Sequence, residues 1–169
     1  MLHKRARYCP LCSEELMGAP VEGRERPRCP ACGFVYFFNP ACASAAAVLD
    51  QDDRVLLIQR RIEPYQGQWA LPAGYQEVDE DPRDTALREV FEETGIEARI
   101  ERLFDVVWVP DDPRKPANVL VYLCTPVGGE LRAASDAKAA AWFHLDDLPE
   151  PIGFGNAEAI LEKLPRRGV

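Results

Sequence analysis

The stretch GYQEVDEDPRDTALREVFEETGI, residues 74–96, decides how this chain is read. It holds eight acidic side chains and only two arginines. Asp81 is a good helix N-cap, Pro82 suits the first helical position, and Asp84 lies in the first turn, where the helix dipole favours an anion. Gly95 stands where a C-cap glycine belongs. These signals predict a helix over residues 82–94. At roughly 100° per residue, Ala86, Leu87, Val90, Phe91 and Thr94 fall within an arc of roughly 140°, which predicts the core-facing side. Glu89, Glu92 and Glu93 stand three and four residues apart and gather away from Leu87 and Phe91. Like charges at that spacing repel by on the order of a few tenths of a kcal/mol per pair. A divalent cation reverses the sign. Mg2+ takes carboxylate oxygens and water, and completes its shell with substrate phosphates.

Gly74, Glu80 and the run Arg88-Glu89-Val90-Phe91-Glu92-Glu93-Thr94-Gly95-Ile96 resemble the Nudix hydrolase motif. That motif is Gly, five residues, Glu, seven residues, then Arg-Glu-aliphatic-any-Glu-Glu-any-Gly-aliphatic, and every fixed position matches. A solvated acidic helix face does not explain Gly74, Glu80, Arg88 and Gly95 together. The resemblance implies hydrolysis of a nucleoside diphosphate linked to another moiety. It implies that Glu89, Glu92 and Glu93 hold Mg2+ or Mn2+, that the Gly74 carbonyl is a further ligand, and that Glu89 orients or deprotonates the attacking water. Glu80 reads as an outer ligand or as a partner of Arg88. Arg88 is spaced to pair with Glu92 and Asp84, which agrees with a family role of fixing the glutamates. Some Nudix enzymes take a general base from a loop outside the motif. Asp136 and Glu130 are the acids available there, and both also read as solvated surface groups.

The first forty residues carry a separate signal. Cys9-Pro-Leu-Cys12 and Cys29-Pro-Ala-Cys32-Gly33 are two Cys-x-x-Cys knuckles sixteen residues apart, the pattern of a tetrahedral zinc site with four cysteine ligands. Disulfides are the alternative, but nothing else suggests a secreted chain. Ser13 occupies the place after the first pair that Gly33 fills after the second. So small a unit has little core, so Zn2+ is expected to supply much of its stability. Cys42 and Cys124 read as small buried side chains. Glu22 and Glu25 interleave with Arg24, Arg26 and Arg28, which favours a structural or dimer-supporting ribbon over one that binds nucleic acid or protein.

Beyond the ribbon, residues 43–50 and 54–61 read as a hairpin, and Gln68–Leu71 as a strand stopped at Pro72-Ala73-Gly74. Residues 100–109, 117–126 and 139–145 read as further strands, Gly128-Gly129 as a turn, and 157–164 as a final helix capped by Asn156. The expected fold class is α+β: a Nudix mixed sheet sandwiched between helices (39–169), preceded by a zinc ribbon (1–38). The ribbon, with Arg60-Arg61-Ile62-Glu63-Pro64 and GQWALPAGY (67–75), resembles the Nudix subgroup that cleaves ADP-ribose or FAD. NADH pyrophosphatases also carry a ribbon, but residues 97–112 lack their Ser-Gln-Pro-Trp-Pro-type motif. A regulator that senses a nucleotide sugar and binds a partner through the ribbon is the reading of another class. It is disfavoured because no box glutamate is missing. Arg60 and Arg61 are placed to reach phosphates, although strand-end arginines are more often exposed. Tyr75 and Trp108 are candidates to stack on adenine or to pack.

A net charge of −8 argues against broad nucleic-acid binding, but not against a phosphate substrate bridged by metal. With 47% hydrophobic and 28% charged residues, the composition is that of a globular chain. It has no apolar run long enough to span a membrane, and the basic N-terminus lacks an apolar signal core, so a cytoplasmic location is expected. Enzymes of this kind are commonly homodimers, but no segment marks an interface.

Overall fold

The computed structural model describes residues 6–110, 112, 115–154 and 157–166. The chain divides into two compact units, residues 1–40 and 41–169. In the first, β1 (Met17–Val21) and β2 (Arg24–Arg28) form an antiparallel hairpin. Its two-residue loop, Glu22-Gly23, has φ of 51° and 76°, the pair of positive values that matches the twist of a tight hairpin. Each cysteine knuckle closes a turn: Ser13 N–H donates to the Cys9 carbonyl at 2.9 Å, and Gly33 N–H to the Cys29 carbonyl at 3.0 Å. Ser13 adopts φ 62° where Gly33 adopts φ 80°. The serine therefore takes the left-handed backbone that the turn demands, against its own preference.

The second unit contains β3 (Ala41–Val48), β4 (Arg54–Arg60), β5 (Trp69–Ala70), β6 (Ala73–Tyr75), α1 (Pro82–Thr94), β7 (Ile96–Val109), β8 (Ala117–Gly129), β9 (Ala137–His144) and α2 (Ala157–Glu162). One sheet has the order β6-β3-β8-β7 and is mixed, because β3 and β8 run parallel. The other, β5-β4-β9, is antiparallel. Side chains alternate along β3 and β4. Ala45, Ala47, Leu49 and Leu57 pack with Ile160 and Leu161 of α2, whereas Ala46, Val48 and Leu56 pack with Ala86 and Val90 of α1. The sheets thus lie between the two helices, and each fully buried Val or Leu contributes about 1.5–3 kcal/mol.

Several details differ from the sequence reading. Residues 43–50 and 54–61 form no hairpin ladder. Both runs are apolar enough to be covered on both faces, so β3 and β4 enter different sheets, joined by a lone bridge at Leu49 and Val55. Ala73-Gly74 does not end the sheet but continues as β6, paired to β3. Gly128 and Gly129 are no turn; they pair with Glu97 and Ile96, and a Cβ on Gly129 would lie 2.2 Å from the Gly95 carbonyl oxygen. The helix caps are as expected: the Asp81 side chain accepts from Arg83 N–H, and Gly95 N–H donates to the Phe91 carbonyl. Its buried face, however, is Thr85, Ala86, Val90, Glu93 and Thr94, while Phe91 is 49% exposed. The small Thr85 and Ala86 let the helix sit close to the sheet, and this rotates Glu93 inward. The cap expected at Asn156 lies outside the described residues. No helix among the described residues is long and apolar enough to cross a membrane.

Candidate active site

Helix α1 leaves β6 through a short loop, and one arginine ties the three together. Arg88 Nε and Nη2 donate to the two oxygens of Glu80 at 2.8 and 3.0 Å, a bidentate pair. Its Nη1 donates to Glu89 at 2.7 Å and Glu92 at 3.2 Å, and Nη2 reaches the Tyr75 carbonyl at 3.4 Å. Its carboxylate partners are thus Glu80, Glu89 and Glu92; the pairing expected with Asp84 is not among them. Glu80 also accepts from Thr85 Oγ1 at 2.7 Å. Arg88 first, and Thr85 after it, hold the Glu80 carboxyl down to a pKa of about 2. Glu80 is thus a partner of Arg88, one of its two sequence readings.

Glu93 is held differently. It is buried, and its Oε2 accepts from Ala73 N–H at 3.2 Å. Burial first, and the charge of Glu89 second, push its pKa up to about 8; the Ala73 N–H and Arg60 oppose them. Glu89 is also raised, by burial, against the pull of Arg88. The backbone of β6 passes so close that a Cβ on Gly74 would stand 2.0 Å from Glu89 Oε1.

Glu89, Glu93, Gly74 and Tyr75 line a cavity of about 220 Å3, together with Arg60, Asp112, Asp136 and Phe154. Arg60 is only 8% exposed, contrary to the expectation for a strand-end arginine. A register shift between Gln59 and Arg60 accompanies its turn inward. Its Nε donates to the Pro64 carbonyl at 2.7 Å, and its guanidinium lies 5.2 Å from the centre of the Phe154 ring. Other expected residues lie outside this cavity. Glu92 is exposed on Arg88, Glu130 is exposed, and Trp108 is 64% exposed on β7. Arg61 donates from Nη2 to the Ala137 carbonyl at 2.9 Å. Sequence reasoning missed Asp112 and Phe154. Asp112 stood in the loop rich in Pro and Asp after β7, whereas Phe154 carried no local signal.

In the first unit, Cys9, Cys12, Cys29 and Cys32 bring their sulfurs within 4.8 Å of one another. The contacts are 3.6 Å for Cys9 to Cys32, 3.4 Å for Cys12 to Cys29 and 3.6 Å for Cys12 to Cys32. Zinc–sulfur bonds of about 2.3 Å in a tetrahedron set sulfurs about 3.8 Å apart, so the cluster has nearly that edge length. Leu11 N–H points at Cys9 Sγ and Cys32 N–H at Cys29 Sγ, both at 3.4 Å. All four are free thiols, so the disulfide alternative is set aside. Among the described residues, the α1 glutamates do not converge to the same degree.

The sequence pattern of the NUDIX domain matches residues 39–163. The chain belongs to the Nudix hydrolase family. An ADP-ribose pyrophosphatase of Methanocaldococcus jannaschii is 37% identical over 115 residues, 68% of this chain and 68% of that protein. A crystal structure of a Nudix hydrolase from Nitrosomonas europaea superposes with a TM-score of 0.83 at 25% identity, over 93% of this chain and 89% of that one. An ADP-ribose pyrophosphatase from Streptococcus suis, 30% identical, superposes with a TM-score of 0.59 over 73% of this chain and 90% of its own. The Nudix fold and its hydrolase class are therefore established, beside a four-cysteine cluster compatible with a zinc ribbon.

Proposed function

We propose that this Nudix hydrolase cleaves the pyrophosphate bond of ADP-ribose or FAD and releases AMP. The observation that carries the reading is one cavity in which two inward carboxylates, Glu89 and Glu93, face a buried arginine, Arg60. The names of the Methanocaldococcus and Streptococcus relatives support the ADP-ribose arm.

The donor set fits a hard divalent cation. Glu89 and Glu93 repel each other across the cavity, and hard carboxylate oxygens beside an open space for phosphates suit Mg2+ or Mn2+. Glu89, Glu92, Glu93 and the Gly74 carbonyl would hold it, with Glu92 exchanging Arg88 for the ion. When bound, the metal would supply neutralisation of diphosphate charge and a lowered pKa for the attacking water. Arg88 positions Glu89 and, through Glu80, anchors the loop before the helix. Glu89 orients the water and accepts its proton. Asp136, at the rim of the same cavity, is the second base candidate. Arg60 takes non-bridging oxygens of the substrate, because phosphoryl transfer depends chiefly on placement and charge. Tyr75 offers a ring to the adenosine half. The four cysteines hold a structural Zn2+, and thiols kept reduced for that purpose suit a cytoplasmic setting.

The test is AMP release from ADP-ribose, FAD and NADH with Mg2+. AMP is expected from ADP-ribose or FAD faster than from NADH. Release from NADH alone would assign the chain to the NADH pyrophosphatases. Tight binding of one diphosphate with turnover of none would make it a nucleotide-sensing regulator.

A further inference from the structure

Phe154 lies between two spaces. It lines the catalytic cavity beside Arg60, and it lines a smaller slot of about 80 Å3. The slot is walled by Ala45, Leu71, Val107, Val121, Ala157 and Ile160, where β3, β7, β8 and α2 face one another. Ala73, Val109 and Val119 line both spaces, as Phe154 does, so the slot adjoins the catalytic cavity. Among the described residues, every side chain in its wall is hydrocarbon.

The ring of Phe154 is firmly set. Its backbone has φ 57°, a left-handed value that a bulky residue rarely adopts and that points to a functional constraint. The segment before it is pinned by Trp69, whose N–H donates to the Pro151 carbonyl at 2.9 Å and whose carbonyl accepts from Gly153 N–H at 2.7 Å. Tyr65 packs against the ring with centroids 4.5 Å apart. The Arg60 guanidinium lies over the ring at 5.2 Å.

We propose that Phe154 and the slot select the substrate. The ring aligns Arg60 with the diphosphate, and the slot takes the methyl-bearing edge of an aromatic ring on the substrate's second half in preference to a hydroxyl-rich sugar. This rests on the pyrophosphatase reading above and deepens it. A dry cavity of about 150 Å3 holds a whole benzene. A slot of about 80 Å3 therefore holds a ring edge, with the rest of the ring in the larger cavity. A sugar there would bury hydroxyls with no polar side chain among the described wall residues to meet them, which costs binding. FAD carries a dimethylated aromatic edge beyond its diphosphate, whereas ADP-ribose carries a ribose.

The products separate these halves. FAD leaves FMN and ADP-ribose leaves ribose 5-phosphate, each beside AMP. Binding of FMN and ribose 5-phosphate to the full chain, followed by flavin fluorescence and calorimetry, reads the slot without turnover. FMN is expected to bind at least about tenfold more tightly. Ala157→Leu, which fills the slot, is expected to erase that preference and to lower the ratio of kcat/KM for FAD over ADP-ribose by about tenfold. Ala45→Val fills it from β3 should leucine at 157 disturb α2. Equal binding of the two products, or a preference that survives both fillings, overturns the slot. Phe154→Leu keeps the wall apolar but removes the ring from Arg60. It is expected to raise KM for both substrates about tenfold with kcat within about threefold, and Phe154→Tyr to restore KM. A fall in kcat at unchanged KM, or no rescue by tyrosine, overturns the part given to the ring. AMP release from neither substrate would defeat the pyrophosphatase reading, and product binding would still decide the slot.

Discussion

The chain carries four cysteines in one unit and three helix glutamates in the other, and the two groups are arranged in opposite ways. The four sulfurs of the first unit already converge within 4.8 Å, with backbone N–H groups aimed at two of them. The carboxylates of α1 are engaged elsewhere: Glu89 and Glu92 share Arg88 Nη1, and Glu93 is buried against Ala73 N–H. Under the proposed zinc reading, the soft cluster builds a fold and is shaped beforehand by the short turns at Cys9–Ser13 and Cys29–Gly33. Under the proposed catalytic reading, the hard cluster has to exist without its ion, and Arg88 shares the charge of Glu89 and Glu92. The first should fail as a structure when disturbed, the second as a catalyst.

The largest effect expected from that contrast is at Cys29→Ser. Bound zinc, measured by elemental analysis, should fall to nearly none. Residues 1–40 should become protease-sensitive, since structural zinc supplies on the order of 10 kcal/mol to small units. Glu93→Gln should leave the fold intact by circular dichroism yet lower kcat by roughly 10²–10³-fold, the scale of losing one prearranged electrostatic contact. Intact turnover in that variant would remove the basis of the catalytic assignment. Arg88→Lys should cost about 10–100-fold in activity or metal affinity, because an ammonium cannot bridge Glu80 bidentately while reaching Glu89. A smaller effect is read in metal-free protein by denaturation against pH. Glu93 has a folded pKa of about 8 and an unfolded one near about 4.3, so the folded state binds the extra proton between those values. Stability should fall as pH rises through that window and level off above it. Glu93→Gln should flatten the slope; an unchanged slope would show that Glu93 is not the group responsible.

Sequence legibility followed the same divide. Caps, knuckle spacing and the glutamate pattern are local, and Asp81, Gly95 and the four cysteines stand where local rules put them. The inward turn of Glu93 was not legible, because it depends on how closely Thr85 and Ala86 let the helix approach the sheet. The split of β3 and β4 between two sheets was hidden because a doubly covered strand has no alternation to show which ladder it joins. Arg60 needed a register shift to face inward, and Phe154 reaches the cavity from a segment far along the chain. Neither consequence is written in the residues beside them.

The tight passage at Gly74 separates two kinds of damage. The atoms a new Cβ would strike there belong to the tip of the Glu89 side chain, which can swing aside, and not to any backbone. Gly74→Ala should therefore melt nearly like the parent while its activity collapses. A library selected only for solubility or heat resistance would fill position 74 with silent casualties, and only an assay of turnover would find them.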